Sequence, residues 1–405
     1  MTMPTRQRPA DTYSPLYFLT SVGAGGLSVT FFMYLMFWVK HPGRPVPVFE
    51  DITAAWATGG TAMHIGIAAA MIGIAVMFFL NLKYLIWNLN QFSQFKQTEA
   101  YAKLRSTNAE TQLMAMPLAV AMSINGSFIA GLVFVPQLWT IVEYLFPAAM
   151  VAFVLTGLWA LSMIGRFLGR VLAQGGIFDV TAHNSFAQLL PAFALAMVAV
   201  GLAAPAAMST GATVVAASLI LSTFFGTIAL IYAVLAAITA LNSMLHYGTA
   251  KESGPTLMII IPLMTILGIM WMRQQHGLHT TFDEHVTAAG QFMMLTKLIT
   301  IQIAFGLLGL VVLRRQGYFS TFITGDKTSA GSYALICPGV ALSVLGHFWI
   351  NKGLVAAGII AKFGVAYWAF TAIALGFQVA MVVLVFYLNR RHFGRVFPAQ
   401  VVPAE

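Results

Sequence analysis

The sequence predicts an all-α membrane protein with ten transmembrane helices. Three observations carry that expectation: an apolar composition nearly devoid of charge, ten long hydrophobic runs, and a one-sided distribution of lysine and arginine. Hydrophobic residues make up 59% of the 405-residue chain and charged residues only 8%. A water-soluble domain carries roughly a quarter of its residues as Asp, Glu, Lys or Arg. So few charges cannot cover a soluble fold of this length.

A helix needs roughly 20 apolar residues to cross a hydrocarbon core about 30 Å thick. Ten runs qualify, over residues 15–39, 62–87, 113–135, 138–164, 189–208, 213–240, 256–272, 292–313, 334–355 and 367–388. The strands of a membrane barrel would read as short alternating segments, whereas these runs are continuous. The first fourteen residues are polar and lead into a span too long for a signal-peptide core, so no cleaved leader is expected. The chain therefore divides into a tail (residues 1–14), one transmembrane domain (15–390) and a second tail (391–405).

Cytoplasmic loops of membrane proteins accumulate Lys and Arg. With a cytoplasmic N-terminus, the inner segments hold fifteen: Arg6, Arg8, Lys83, Lys96, Lys103, Arg105, Arg166, Arg170, Lys251, Arg314, Arg315, Lys327, Arg390, Arg391 and Arg395. The outer segments hold five (Lys40, Arg44, Arg273, Lys352 and Lys362), and Lys297 falls within span eight. The bias predicts a multi-pass protein of the cell's inner (plasma) membrane with both termini cytoplasmic. The net charge of +9 then reports topology and not nucleic-acid binding.

Connections order the spans into five hairpins. Spans three and four are joined by little more than Pro136 and Gln137, and spans five and six by residues 209–212. The longer inner connection has a polar stretch, 94–110, in which a surface helix is expected. Pro15, Pro117, Pro191, Pro205, Pro255, Pro262 and Pro338 fall in odd spans, and only Pro147 in an even one. Proline kinks a membrane helix and frees a carbonyl that neighbours or a wet cavity must satisfy. The expected arrangement is an inner pore ring of odd helices inside an outer ring of even helices. Gly23, Gly25, Gly26, Gly126, Gly131, Gly339 and Gly346, all on odd spans, either let helices pack closely or leave a lumen open.

Two stretches resemble a known family. Ser14-Pro15-Leu16-Tyr17-Phe18 followed by Gly23-Ala24-Gly25-Gly26-Leu27 is similar to the first span of the tellurite-resistance/dicarboxylate transporter family, relatives of the plant guard-cell slow anion channels. Cys337-Pro338-Gly339-Val340-Ala341 through His347-Phe348-Trp349 is similar to its ninth, although Trp349 stands where familiar members often have proline. The resemblance implies a passive anion channel or proton-coupled anion carrier, a homotrimer with a pore in each protomer, and an occluding phenylalanine at Phe348. The cargo would be a small inorganic or organic anion: an oxyanion, a halide or a dicarboxylate.

Polar groups at membrane depth are costly unless they meet a cavity or a partner. On that ground Asn125 and Ser123 of span three, with His347 and Lys352 of span nine, are the candidate pathway residues. Phe348 and Lys352, four apart, would share a helical face. Glu143 and Lys297 are expected to snorkel to the interface, with an ion pair between them as the alternative. The rival function is a haem b or quinone-binding electron-transfer subunit, but only His64 and His347 approach membrane depth. The run from His276 to His285 reads as a polar loop, with metal binding as the alternative. Cys337, the single cysteine, excludes a disulfide within the chain. No P-loop, catalytic triad, metal or cofactor is expected, and the partners expected are the anion, membrane lipid and further copies of the chain.

Overall fold

In a computed structural model the protein is described over residues 8–175 and 178–394. It is helical throughout, with no strand among the described residues. Ten helices are long and apolar enough to span a membrane: Pro15–Trp38, Thr61–Phe95, Asn108–Phe134, Leu138–Gln174, Phe186–Met208, Ala212–Tyr247, Lys251–Phe282, Ala288–Arg315, Ala330–Val355 and Val365–Phe393. This is a multi-pass α-helical membrane protein, and with an even number of spans among the described residues the start of the first and the end of the tenth lie on one face. That face is called the terminal face below, and the opposite one the far face.

Several helices outrun the hydrophobic runs that announced them. Spans two, four and six continue as helix to Phe95, Gln174 and Tyr247, seven to ten residues beyond their apolar stretches, and so extend past the hydrocarbon on the terminal face. Span seven runs to Phe282, not to residue 272, which moves Arg273 from an outer loop into a helix. Lys352 likewise lies within span nine. A short helix, Glu99–Arg105, fills the expected surface segment, and a second, Phe49–Thr58, lies in the connection between spans one and two. Asp51 caps the latter, accepting from the Val48 amide at 3.0 Å and pairing with Arg44.

Burial alternates along the chain. Over their most apolar stretch the odd spans are 50–94% buried and the even spans 22–33%. Even spans leave large apolar side chains such as Ile65, Ile72, Phe79, Ile220 and Ile238 exposed, as a surface turned to lipid requires.

The odd spans also share a way of starting. Each begins at the terminal face with a 3-10 segment (Pro15–Tyr17, Asn108–Met114, Phe186–Leu189, Lys251–Met258, Ala330–Leu335) before turning α-helical. Pro117, Pro191, Pro262 and Pro338 occupy the first turn of the α-helices that follow. There the missing N–H has no helical partner to lose, and the fixed φ suits the helix start. These prolines therefore lie where helices begin and do not interrupt a helix in mid-span.

Pro205 is the exception. Span five breaks at Ala203, between the helices Leu190–Leu202 and Ala204–Met208. The final carbonyls of a helix lack partners in their own helix. Ser218 of span six inserts its hydroxyl here, donating to the Leu202 carbonyl at 2.5 Å and accepting from the Ala206 amide at 2.8 Å.

On the terminal face, buried amides and rings join spans one, two, nine and ten. Asn81 donates to the Ser21 carbonyl and Asn88 to that of Tyr17, at 2.8 and 3.0 Å. Tyr17 Oη lies 2.9 Å from His392 Nδ1, and Tyr333 Oη donates to Asn389. Most of the glycines noted in the sequence serve packing. A Cβ at Gly339 would stand 2.5 Å from Met381, and at Gly126 3.0 Å from Phe78.

Candidate functional site: a file of cavities through the odd spans

Three cavities follow one another down the bundle. The outermost, about 210 Å³, lies near the far face and is lined by Phe32, Met36, Arg273, His276, Phe348 and Lys352 among others. A central one of about 150 Å³ is walled by all five odd spans, with span four adding Phe146 to Phe153. The innermost, about 20 Å³, is enclosed by apolar and proline side chains such as Leu19, Leu190, Pro255 and Ile259. From Leu19 to Met36 the file follows span one for about 25 Å at 1.5 Å per residue.

Neighbouring cavities share walls. Val29, Phe128, Ile129, Met208, Ile269 and Arg273 line both the outer and the central cavity, so they form the collar between them. Phe193, Pro262 and Cys337 stand between the central cavity and the innermost. Cys337 is buried, as an inert packing thiol would be.

Arg273 is the charged member of that collar. Its Nη1 donates to the Val200 carbonyl at 2.7 Å. Val200 belongs to the last turn before the break at Ala203, where the helix has a carbonyl to offer. The four ion pairs among the described residues are Arg8–Asp11, Arg44–Asp51 and the pairs of Glu110 with Arg105 and Arg170, so Arg273 has no carboxylate partner there. The outer and central cavities contain no Asp or Glu. Lys352 adds a second cation to the wall of the outer cavity, and burial together with that ammonium lowers the pKa of Lys362 in the connection that follows. The outer end of the file is thus cationic.

The structure brings some of the sequence candidates together and separates others. Phe348 and Lys352 share the wall of the outer cavity, although the backbone becomes a π-helix from Trp349 to Val355. The Phe348 ring is half-buried and meets Phe37 edge-on, 5.3 Å between centroids. Asn125 lines the central cavity and donates to its own helix, to the Ala121 carbonyl at 3.1 Å. Ser123 is buried off the file, donating to Ala119. His347 is fully buried with its ring near Tyr34 and Phe37, also off the file. Gly346 faces Ala374 of span ten and makes no room beside Phe348.

Glu143 has a different partner from the one weighed in the sequence. It accepts from Ser209 Oγ at 2.7 Å and from the Thr210 amide at 2.7 Å, tying span four to the loop after span five, and no ion pair joins it to Lys297. His64 bonds to the Trp56 carbonyl. Among the described residues no group of three His, Cys, Asp or Glu side chains is placed to hold a metal, the His276 to His285 stretch included. The chain matches no family model, no curated protein and no solved structure.

Sequence reasoning missed Arg273. The only signal was weak: the seventh run spans 17 residues, at the short end of what a crossing needs, so the helix was free to extend past either end, and it does so to Lys251 and to Phe282.

Proposed function

We propose that this protein moves small anions across the membrane through the file of cavities, with the odd spans as an inner ring and the even spans as an outer ring. The observation that carries the reading is Arg273. An ionised side chain removed from bulk water costs several kcal/mol unless it is paired. A guanidinium stays charged at neutral pH, and this one meets a single carbonyl. An anion passing the collar would supply the missing charge, and the acid-free outer cavity would concentrate such anions ahead of it.

This reading agrees with the resemblance of the first and ninth spans to the tellurite-resistance/dicarboxylate transporter family. That resemblance adds further proposals: a homotrimer with one pathway per protomer, residence in the plasma membrane, and Phe348 as a gate. A channel and a proton-coupled carrier would use the same path.

The test is anion flux into proteoliposomes holding purified protein, measured for chloride, nitrate, tellurite and a dicarboxylate. Wild-type protein should carry at least one of them. Arg273→Gln keeps a donor for Val200 but removes the charge, and should cut that flux at least about tenfold, the worth of one charge-assisted hydrogen bond. Arg273→Lys should retain part of it. Absence of flux for every anion, or equal flux in Arg273→Gln, would sink the proposal.

A further inference from the structure

A second basic site lies away from the file, at the terminal face. A groove of about 450 Å³ runs between the ends of spans two and four and is roofed by the surface helix Glu99–Arg105. It shares no lining residue with the three cavities. The two helices that frame it repeat one pattern. On span two, Leu89 and Phe92 lie below Lys96; on span four, Trp159 and Met163 lie below Arg166. Each cation is seven residues beyond the deepest apolar residue named, which is about 10 Å along a helix. Apolar side chains from two neighbouring spans, with cations toward the helix ends above them, are the profile of a site for one lipid molecule whose headgroup sits at the terminal face.

The charge is also in excess. Glu110 is the one carboxylate in the groove, buried and held by Arg105 and Arg170. Among the described residues Arg166 makes no hydrogen bond or ion pair, and the Lys96 ammonium rests 5.7 Å from the centre of the Phe92 ring. Basic pockets between membrane helices suit anionic headgroups, and the volume admits a phosphoglycerol group with the start of an acyl chain. We propose that this groove binds an anionic phospholipid, its phosphate between Lys96 and Arg166 and an acyl chain along Trp159 and Met163.

The full-length protein, purified in detergent, can be offered equimolar phosphatidylglycerol and phosphatidylcholine and weighed by native mass spectrometry. Phosphatidylglycerol should be retained in preference. The double variant Lys96→Gln/Arg166→Gln should lower its retention about tenfold or more, as two surface cations are worth. Lys83→Gln/Lys327→Gln, outside the groove, should leave retention unchanged. Should the double variant fold poorly, wild-type protein decides alone: the preference must weaken as salt rises. Equal retention of both lipids, a folded double variant that retains phosphatidylglycerol as wild type does, or inorganic phosphate held as firmly as the lipid overturns the proposal. So does a dimer mass lost in the double variant, which would assign the groove to a second copy of this chain.

Discussion

Phe348 and Arg273 divide the outer part of the path between them. Phe348 lies on the wall of the outer cavity, while the collar around Arg273 lies one cavity deeper and brings its own ring, Phe128, stacked near Phe146 at 5.9 Å. If Phe348 occludes the path, Phe348→Ala should raise basal anion conductance in planar bilayers and Phe348→Leu should raise it less. Truncating a packed aromatic costs about 3–5 kcal/mol in a full core, and the half-buried ring should cost less, so current is normalised to folded protein. Conductance at or below wild type in Phe348→Ala would remove the gate from Phe348 and leave the collar as the constriction. The sequence could place Phe348 and Lys352 on one face because four-residue spacing fixes helical neighbours. Two-residue spacing likewise sets Ser123 and Asn125 on different faces and favours Asn125 as the one toward a lumen, and Asn125 is the one that reaches the central cavity; the rotation that decides it is set by packing.

Proline counting illustrates what a sequence shows of an element and what it hides. The asymmetry between odd and even spans was legible and coincides with the burial difference. The physical reason was not: four of the prolines sit in first turns after 3-10 segments, a placement that depends on where each helix starts. Pro205 breaks its span, and the break is repaired from outside by Ser218, which no local pattern reveals. Ser218→Ala would strand the Leu202 carbonyl and the Ala206 amide within the bundle. Unsatisfied buried groups of this kind cost about 1–3 kcal/mol, so the variant should melt at a lower temperature in detergent than wild type. A melt equal to that of wild type would show that the break is satisfied by other means. Because the Val200 carbonyl belongs to the same helix end, anion flux should fall in parallel if the break helps to hold Arg273 at the collar.

At the scale of the molecule, orientation follows from charge. Helix bounds place Arg273 and Lys352 within spans, but also Lys83, Arg166, Arg170, Lys251, Arg314, Arg315, Arg390 and Arg391 within spans toward the terminal face. The bias therefore lies in which end of a span each cation occupies; the far-face connections hold Lys40, Arg44 and Lys362. Arg44 is already paired with Asp51. The terminal face keeps its cations, including Lys103 and Arg105 on the surface helix and Arg314, Arg315, Arg390 and Arg391 at the ends of spans eight and ten; Arg6 and Arg395 lie outside the described residues. Positively charged segments near span ends resist translocation, so the terminal face should be cytoplasmic. Fusing green fluorescent protein to the C-terminus should give fluorescent cells, and alkaline phosphatase at the same position should be inactive. A phosphatase fusion truncated after Gly43, in the first far-face connection, should be active, because it follows a single crossing. Phosphatase activity from the C-terminal fusion would place that end outside and refute an even number of crossings with a cytoplasmic start. It would also move the Lys96 and Arg166 groove to the outer leaflet, if both ends are exchanged together, and turn the cationic mouth at Lys352 toward the cytoplasm.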